Sequence, residues 1–400
     1  MGVMKKTVIL AYSGGLDTSV CVKWLTERGY RVIAFMADVG QGDPSAQAAA
    51  RAKVAGASQV IVRDLRKEFL TEYCWPALKA NAVYEGKYLL ATALSRPLIA
   101  AHLVDVAHKM RAAAVAHGCT GKGNDQVRFE VTTRILDPSL EILAPVRDWE
   151  FRSREDEIDY ARRHKIPIEV SKRHPYSIDQ NLWGTSIESG VLEHPWIEPP
   201  SDTFRSIRSP ERAPSRPSYV TVGFSQGTPT HVNGTRTGAV KLVERLNALG
   251  GLHGIGRSDM IESRVVGIKS REIYEAPAGT ILLEAHQELE RLVFDRQLLQ
   301  FTQGIAAKYA ELIYAGLWFT PLKRSLDAFV NETQRRAAGT VRVKLFKGSC
   351  QVVGRKSPYG LYRERLATYS AKDRFDQSAS EGFIKLFGLP YEGQGKRETG

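Results

Sequence analysis

The chain has 400 residues, a length that suits two or three domains. Its 43% hydrophobic and 25% charged content supplies real cores, and no apolar run approaches the roughly 20 residues of a membrane span, so a disordered or membrane-spanning chain is excluded. The net charge of +12 is spread as +4 over residues 1–170 and +8 over 171–400, with no block of five like charges. Such a diffuse excess suits small anions and marks no nucleic-acid face.

In chain order, "TVILAY" (Thr7–Tyr12) reads as a strand and "LDTSVCVKWLTERG" as a helix ending at Gly29. Arg31–Asp38 is a second strand, Pro44 opens an alanine-rich helix, and Ser58–Asp64 is a third strand with helical sequence after it through Lys79. Arg96–Met110 reads as a helix, and Ala112–Gly118 and Leu140–Val146 as strands. Ser153 and Asp156 form a capping box for the helix that follows. Strands buried on both faces and separated by helices predict a doubly wound parallel sheet, hence an α/β fold.

The pattern then changes. A proline-rich surface connection runs from Pro195 to Pro217, and "PSYVTVGFSQGTPTHVNG" predicts antiparallel strands. A helix over Thr237–Gly251, long helical sequence over Pro277–Ala315 and Pro321–Gly339, and two β-runs, "TVRVKLFKG" and "SCQVVGRKS", complete a mixed α+β region. We place the domain boundary near residue 170, giving domains 1–170 and 171–400. The tail from about 373 carries Phe375, Phe383, Leu386, Phe387 and Leu389, an apolar set equally suited to docking on a neighbouring subunit and to packing on its own domain.

The stretch "AYSGGLDTS" lies between the first strand and the first helix. Gly14 and Gly15 let backbone N–H groups turn inward, and the helix N-terminus adds its own free N–H groups and dipole. Together they suit a phosphate. The lysine of the G-x-x-x-x-G-K-[ST] loop is missing. Asp17 beside a phosphate requires a cation or several donors, and Mg²⁺ held chiefly by phosphate oxygens meets that need. The alternative is that Asp17 and Ser19 only cap the helix.

Read together, Ser13–Ser19 resemble the PP-loop, S-G-G-x-D-[ST], of ATP pyrophosphatases. That resemblance implies cleavage of ATP between the α- and β-phosphates. A second glycine-rich loop, "HGCTGKGNDQVRFE" (His117–Glu130), also follows a strand. Its mixture of Thr120, Asn124, Asp125, Lys122 and Arg128 suits a zwitterion with both a carboxylate and an ammonium.

With "ADVGQ", "KYLLATALSRP", "PYSIDQNLWG" and "GRSDMIESRVVGIKSREIYEAPAGTIL", nearly the whole chain resembles the argininosuccinate synthase family. The resemblance implies that citrulline and aspartate condense to argininosuccinate while ATP, carried with Mg²⁺, becomes AMP and pyrophosphate through citrullyl-AMP. No further metal site is implied. Neither step needs a protein nucleophile; the chain's task is positioning and charge stabilisation.

Residue by residue, the resemblance assigns ATP to Ala11, Tyr12, Ser13, Gly14, Gly15, Leu16, Asp17, Thr18, Ser19, Ala37 and Gly118. Aspartate falls to Thr120, Asn124 and Asp125. Citrulline falls to Tyr88, Asn124, Arg128, Ser177, Ser186, Glu262 and Tyr274, of which the last four lie in the second domain. Asp17 and Asp125 are the catalytic candidates, with Asp125 expected to orient the aspartate amine and help draw off its proton. Many members carry a small polar residue five positions after the tyrosine of "KYLLATALSRP"; here it is Ala93, beside Thr92.

The resemblance further implies a homotetramer. Cys21, Cys74, Cys119 and Cys350 are widely spaced, and no signal-peptide pattern occupies Met1–Lys6, so a reduced, cytoplasmic protein is expected. Two other readings share the first loop. A PP-loop amidotransferase often carries an N-terminal cysteine nucleophile or a glutaminase, and a tRNA-modifying protein shows clustered Lys/Arg or paired cysteines. This sequence offers none of these. No nucleic-acid or membrane partner is expected.

Overall fold

A computed structural model describes residues 5–42, 45–167 and 176–395. The N-terminal half is built on a five-stranded parallel sheet of order β3-β2-β1-β4-β5. Its strands are β1 (Thr7–Ala11), β2 (Arg31–Asp38), β3 (Gln59–Asp64), β4 (Ala114–Ala116) and β5 (Glu141–Leu143). The register sets Val8 opposite Val32 and Ile9 opposite Ile33.

Successive residues of β1 point to opposite faces, and both faces are buried. Val8 and Leu10 pack with Val20, Leu25, Ala48 and Tyr160. These come from helices α1 (Leu16–Glu27), α2 (Ser45–Val54) and α5 (Arg154–Arg163). Ile9, Ile33 and Phe35 pack on the other side against Leu94 and Leu98 of α3 (Ala91–Met110), in a core that continues into the second half through Leu246, Leu282 and Ile313. Helix α4 (Asn124–Leu136) follows β4.

The Ser153–Asp156 capping box of α5 is present in both directions. Helix α3 begins at Ala91, five residues before the predicted start, and carries Pro97 inside it. Its first turn is closed by a side chain just before it: the Tyr88 hydroxyl accepts from the N–H groups of Thr92 (3.0 Å) and Ala93 (3.2 Å). The strands predicted at 112–118 and 140–146 shorten to three residues each, and Pro145 opens a helical turn. Pro44 and the boundary near 170 lie outside the described residues.

The second half holds two antiparallel sheets. The four-stranded one, ordered β11-β12-β7-β6, contains β6 (Ser177–Gln180), β7 (Thr185–Glu188), β11 (Arg257–Ser263) and β12 (Lys269–Glu275). The five-stranded one, ordered β10-β9-β8-β13-β14, contains β8 (Ser218–Ser225), β9 (Thr228–Val232), β10 (Thr235–Arg236), β13 (Gly339–Phe346) and β14 (Ser349–Lys356). Helices α6 (Ala239–Leu252), α7 (Pro277–Val293), α8 (Arg296–Tyr314), α9 (Pro321–Thr333) and α10 (Ala379–Gly388) complete it.

The helical sequence predicted over 277–315 is two helices, because Asp295 accepts from the N–H groups of Gln297 and Leu298 and so starts α8 afresh. The helix predicted to reach Gly339 ends in a turn over Gln334–Arg336, and Gly339 opens β13. The proline-rich connection is pinned from below. The buried Glu275 carboxylate accepts from the N–H groups of Arg205 (3.0 Å), Ser206 (3.1 Å) and Ile207 (2.9 Å).

Candidate active site

The first loop lies beyond the carboxyl end of β1. Gly14 sits at φ +84°, and a Cβ there would lie 2.6 Å from the Ala48 Cβ, so only glycine fits without displacement. Gly15 occupies the N-cap of α1 and offers no side-chain acceptor. The first-turn N–H groups of Leu16, Asp17 and Thr18 therefore lack both an intrahelical partner and a cap, which suits the loop mouth to an anion.

Not every residue of the loop faces that mouth. Tyr12 and Ser19 are buried, their hydroxyls 2.9 Å apart, and Ser19 Oγ donates to the Gly15 carbonyl (2.7 Å). These two shape the loop from inside. Ser13 Oγ stands 3.1 Å from Thr18 Oγ1 and accepts from the Gly15 N–H (3.3 Å). Arg51 of α2 donates to the Gly14 carbonyl and braces the turn. Next to the loop, Ala37 helps line a cavity of about 400 Å³ at the carboxyl end of β2, with Met36, Gly40, Gln41, Arg66 and Glu244.

Asp17 is partly buried at the start of α1, and Glu157 of α5 lies against it. Burial first, and then the Asp17 charge and a hydrogen bond between the carboxyls, push the Glu157 proton affinity well up. Sequence spacing of 140 residues gave no hint of this pair. Among the described residues, no group of three or more His, Cys, Asp or Glu side chains is placed to hold a metal.

Gly118 joins the two loops. A Cβ on it would lie 2.9 Å from Thr18 Cγ2, so the second loop runs directly against α1. Gly123 forms the N-cap of α4, again without a side-chain cap, and Thr120 is exposed in the loop before it. The start of α4 is thus a second anion-accepting helix N-terminus, with Asn124 and Asp125 in its first turn.

Asp125 is held from both sides. Arg128 donates to its Oδ1 (2.8 Å) and Arg96 of α3 to its Oδ2 (2.8 Å). Burial opposes ionisation, but the two guanidinium charges outweigh it and hold the carboxyl below its ordinary value. Arg96 also pairs with Asp179 of β6, tying α3 and α4 to the four-stranded sheet. A carboxylate so placed orients a cation well and is a weak base.

Most of the remaining predicted residues converge on Glu262, which is 2% exposed. Its Oε2 accepts from the Tyr274 hydroxyl and its Oε1 from the Tyr314 hydroxyl, each over 2.5 Å. Tyr88 stacks on Tyr274 with ring centroids 4.1 Å apart. Ser186 lies opposite Tyr274 across the β7–β12 ladder. Ser177 stands at the exposed start of β6, opposite Glu188, whose carboxylate pairs with Arg264. Ala93 is fully buried, and the Thr92 hydroxyl is engaged with that of Tyr88.

Sequence reasoning missed Arg96, Asp179, Glu157, Arg264 and Tyr314. Arg96 stood within a quoted motif, "KYLLATALSRP", and its paired carboxylates could have drawn attention to it. Tyr314, at the end of α8, carried no local signal.

Two family models match the chain. The arginosuccinate synthase N-terminal HUP domain covers residues 7–167, and the arginosuccinate synthase C-terminal domain covers residues 176–393. The chain is 56% identical over 398 residues to the argininosuccinate synthase of Aquifex aeolicus, covering 99% of both chains. It is 55% identical to that of Rubrobacter xylanophilus, covering 96% of this chain and 94% of the relative. For Carboxydothermus hydrogenoformans the identity is 54%, covering 97% of each.

Proposed function

The chain belongs to the argininosuccinate synthase family, and we propose from that membership that it joins citrulline to aspartate through citrullyl-AMP, releasing pyrophosphate and then AMP. It is a ligase that uses ATP to condense the two amino acids, a step of arginine biosynthesis. One observation carries the reading. Gly118 is pressed against Thr18, so the loop that leads into α4 lies against the first turn of α1, which supports a phosphate site and an amino-acid site next to each other.

In the first step the ureido oxygen of citrulline forms a bond to the α-phosphorus, and the bond to the β-phosphate oxygen breaks. The N–H groups at the start of α1, with Ser13, Gly14 and Gly15, hold the phosphates of the leaving pyrophosphate. Ala37 and its cavity take the nucleoside. Asp17 with Glu157 beside it suits a divalent cation carried mainly by phosphate oxygens, because a cation offsets the repulsion between neighbouring carboxyls. Bound there, Mg²⁺ would neutralise charge on the departing pyrophosphate.

Citrulline is held by its zwitterionic end. Glu262 accepts from two tyrosines and still has lone pairs free for an α-ammonium. Ser177, Ser186 and Arg128 are the donors for the carboxylate. In the second step the aspartate amine attacks the activated carbon and AMP leaves. The uncapped start of α4 and Thr120 suit an aspartate carboxylate, and Asp125 suits the amine. With Arg96 and Arg128 on its two oxygens, Asp125 is suited to orient that amine more than to take its proton.

The two parts act as an ATP-binding domain over 1–170 and a synthetase and assembly domain over 171–400. The exposed apolar helix α10 supports a homotetramer. A cytoplasmic location accords with no described helix being long and apolar enough to cross a membrane. The intermediate is tested with citrulline carrying ¹⁸O in the ureido group. Label recovered in the AMP phosphate supports citrullyl-AMP, and unlabelled AMP overturns it.

A further inference from the structure

We infer that Tyr314 is a positioning residue that locks the citrulline and aspartate subsites to each other, an inference that rests on the proposed reaction. Its hydroxyl is one atom shared by both. It donates to Glu262 Oε1 (2.5 Å) and accepts from Asn124 Nδ2 (2.7 Å). Glu262 belongs to β11 of the second half and Asn124 to the first turn of α4 in the first half. A single side chain, 2% exposed, therefore bridges the residue for one substrate's ammonium and the helix start that receives the other.

The bridge is rigid on every side. The Tyr314 ring lies flat on Tyr84, with centroids 3.6 Å apart and planes 6° from parallel. The Arg128 guanidinium stands 4.8 Å from the same ring, and Arg128 Nε donates to the Tyr314 carbonyl (2.9 Å). Two residues on, a Cβ at Gly316 would lie 2.7 Å from the Arg128 Cα, so the end of α8 is packed directly on α4. Asn124 has no freedom left either, because its Oδ1 accepts from the Val265 N–H (2.9 Å).

The phenol is a donor and not an acid. Burial and the Glu262 charge both raise its proton affinity, so it stays protonated while it holds the carboxylate. Attack of the aspartate amine on the citrulline-derived carbon demands that the two subsites keep a fixed separation. Tyr314 sets it without touching either reacting atom.

The test is steady-state kinetics of Tyr314→Phe beside the wild type, which must first show citrulline-dependent pyrophosphate release. The variant removes one oxygen and keeps the stacked ring. Loss of a hydrogen bond to a charged group predicts a rise of roughly tenfold or more in KM for citrulline, with a parallel rise for aspartate, and KM for ATP within about twofold. Glu262→Gln is made alone and combined with Tyr314→Phe, and the two effects on citrulline are expected to be non-additive. Tyr314→His, which keeps a ring donor, is expected to fall between wild type and Phe. Unchanged KM values in Tyr314→Phe, or an equal rise for all three substrates, overturn the inference. If Tyr314→Phe does not fold, Tyr314→His decides on the same two criteria. A wild type without citrulline dependence instead overturns the proposed reaction.

Discussion

Arg96 and Asp125 meet at 2.8 Å across the join between α3 and α4, while Arg128 holds the other Asp125 oxygen at the same distance. The pair of guanidinium groups keeps Asp125 ionised below the ordinary value of 3.8, so it carries no proton anywhere near neutral pH. Asp125→Asn is therefore expected to raise KM for aspartate by roughly 10- to 100-fold, from the loss of a charge-assisted contact. The pH dependence of kcat is expected to stay where it was. A displaced limb in that profile would show that Asp125 does handle the proton.

Gly14 is constrained twice, by φ +84° and by Ala48 in the path of any Cβ. Gly14→Ala forces a left-handed backbone costing about 1–2 kcal/mol and pushes α2 away from the loop. We expect a lower melting temperature and a KM for ATP raised roughly tenfold, with KM for aspartate little changed. Melting curves and initial rates on one preparation check both.

Helix α10 has no buried residue among Ala379–Gly388, and Phe383, Leu386 and Phe387 are 65%, 75% and 59% exposed. An apolar face of this kind on an isolated chain predicts cover from another subunit. Phe387→Asp is expected to shift the sedimentation mass from that of the proposed tetramer to a smaller species. An unchanged mass would remove the tail from the assembly.

What could be read from the sequence was what chain neighbours determine. Gly14, Gly15 and Asp17 lie within one turn of each other, and their position after β1 follows from a strand pattern next to a helix pattern. The Asp295 cap was equally local, yet the strong apolar period on either side made 277–315 read as long helical sequence with no break marked. The four-stranded sheet was hidden for another reason. Strands β6 and β7 are four residues each, and β11 and β12 carry Asp259, Glu262, Arg271 and Glu272 where an alternating apolar face would have marked them. Those charges pair with one another and with nearby residues: Arg271 with Asp259 at 2.6 Å, and Arg264, just after β11, with Glu272 at 2.7 Å. Tyr314, Arg96 and Glu157 act through contacts 29 to 190 residues away in sequence, and no local pattern encodes such a contact.

The central claim is a two-step ligation. The most direct measurement is pyrophosphate and argininosuccinate production from Mg-ATP, with citrulline and aspartate each omitted in turn. The account predicts pyrophosphate release that requires citrulline, with AMP and argininosuccinate appearing only once aspartate is added. Pyrophosphate release indifferent to citrulline would contradict it.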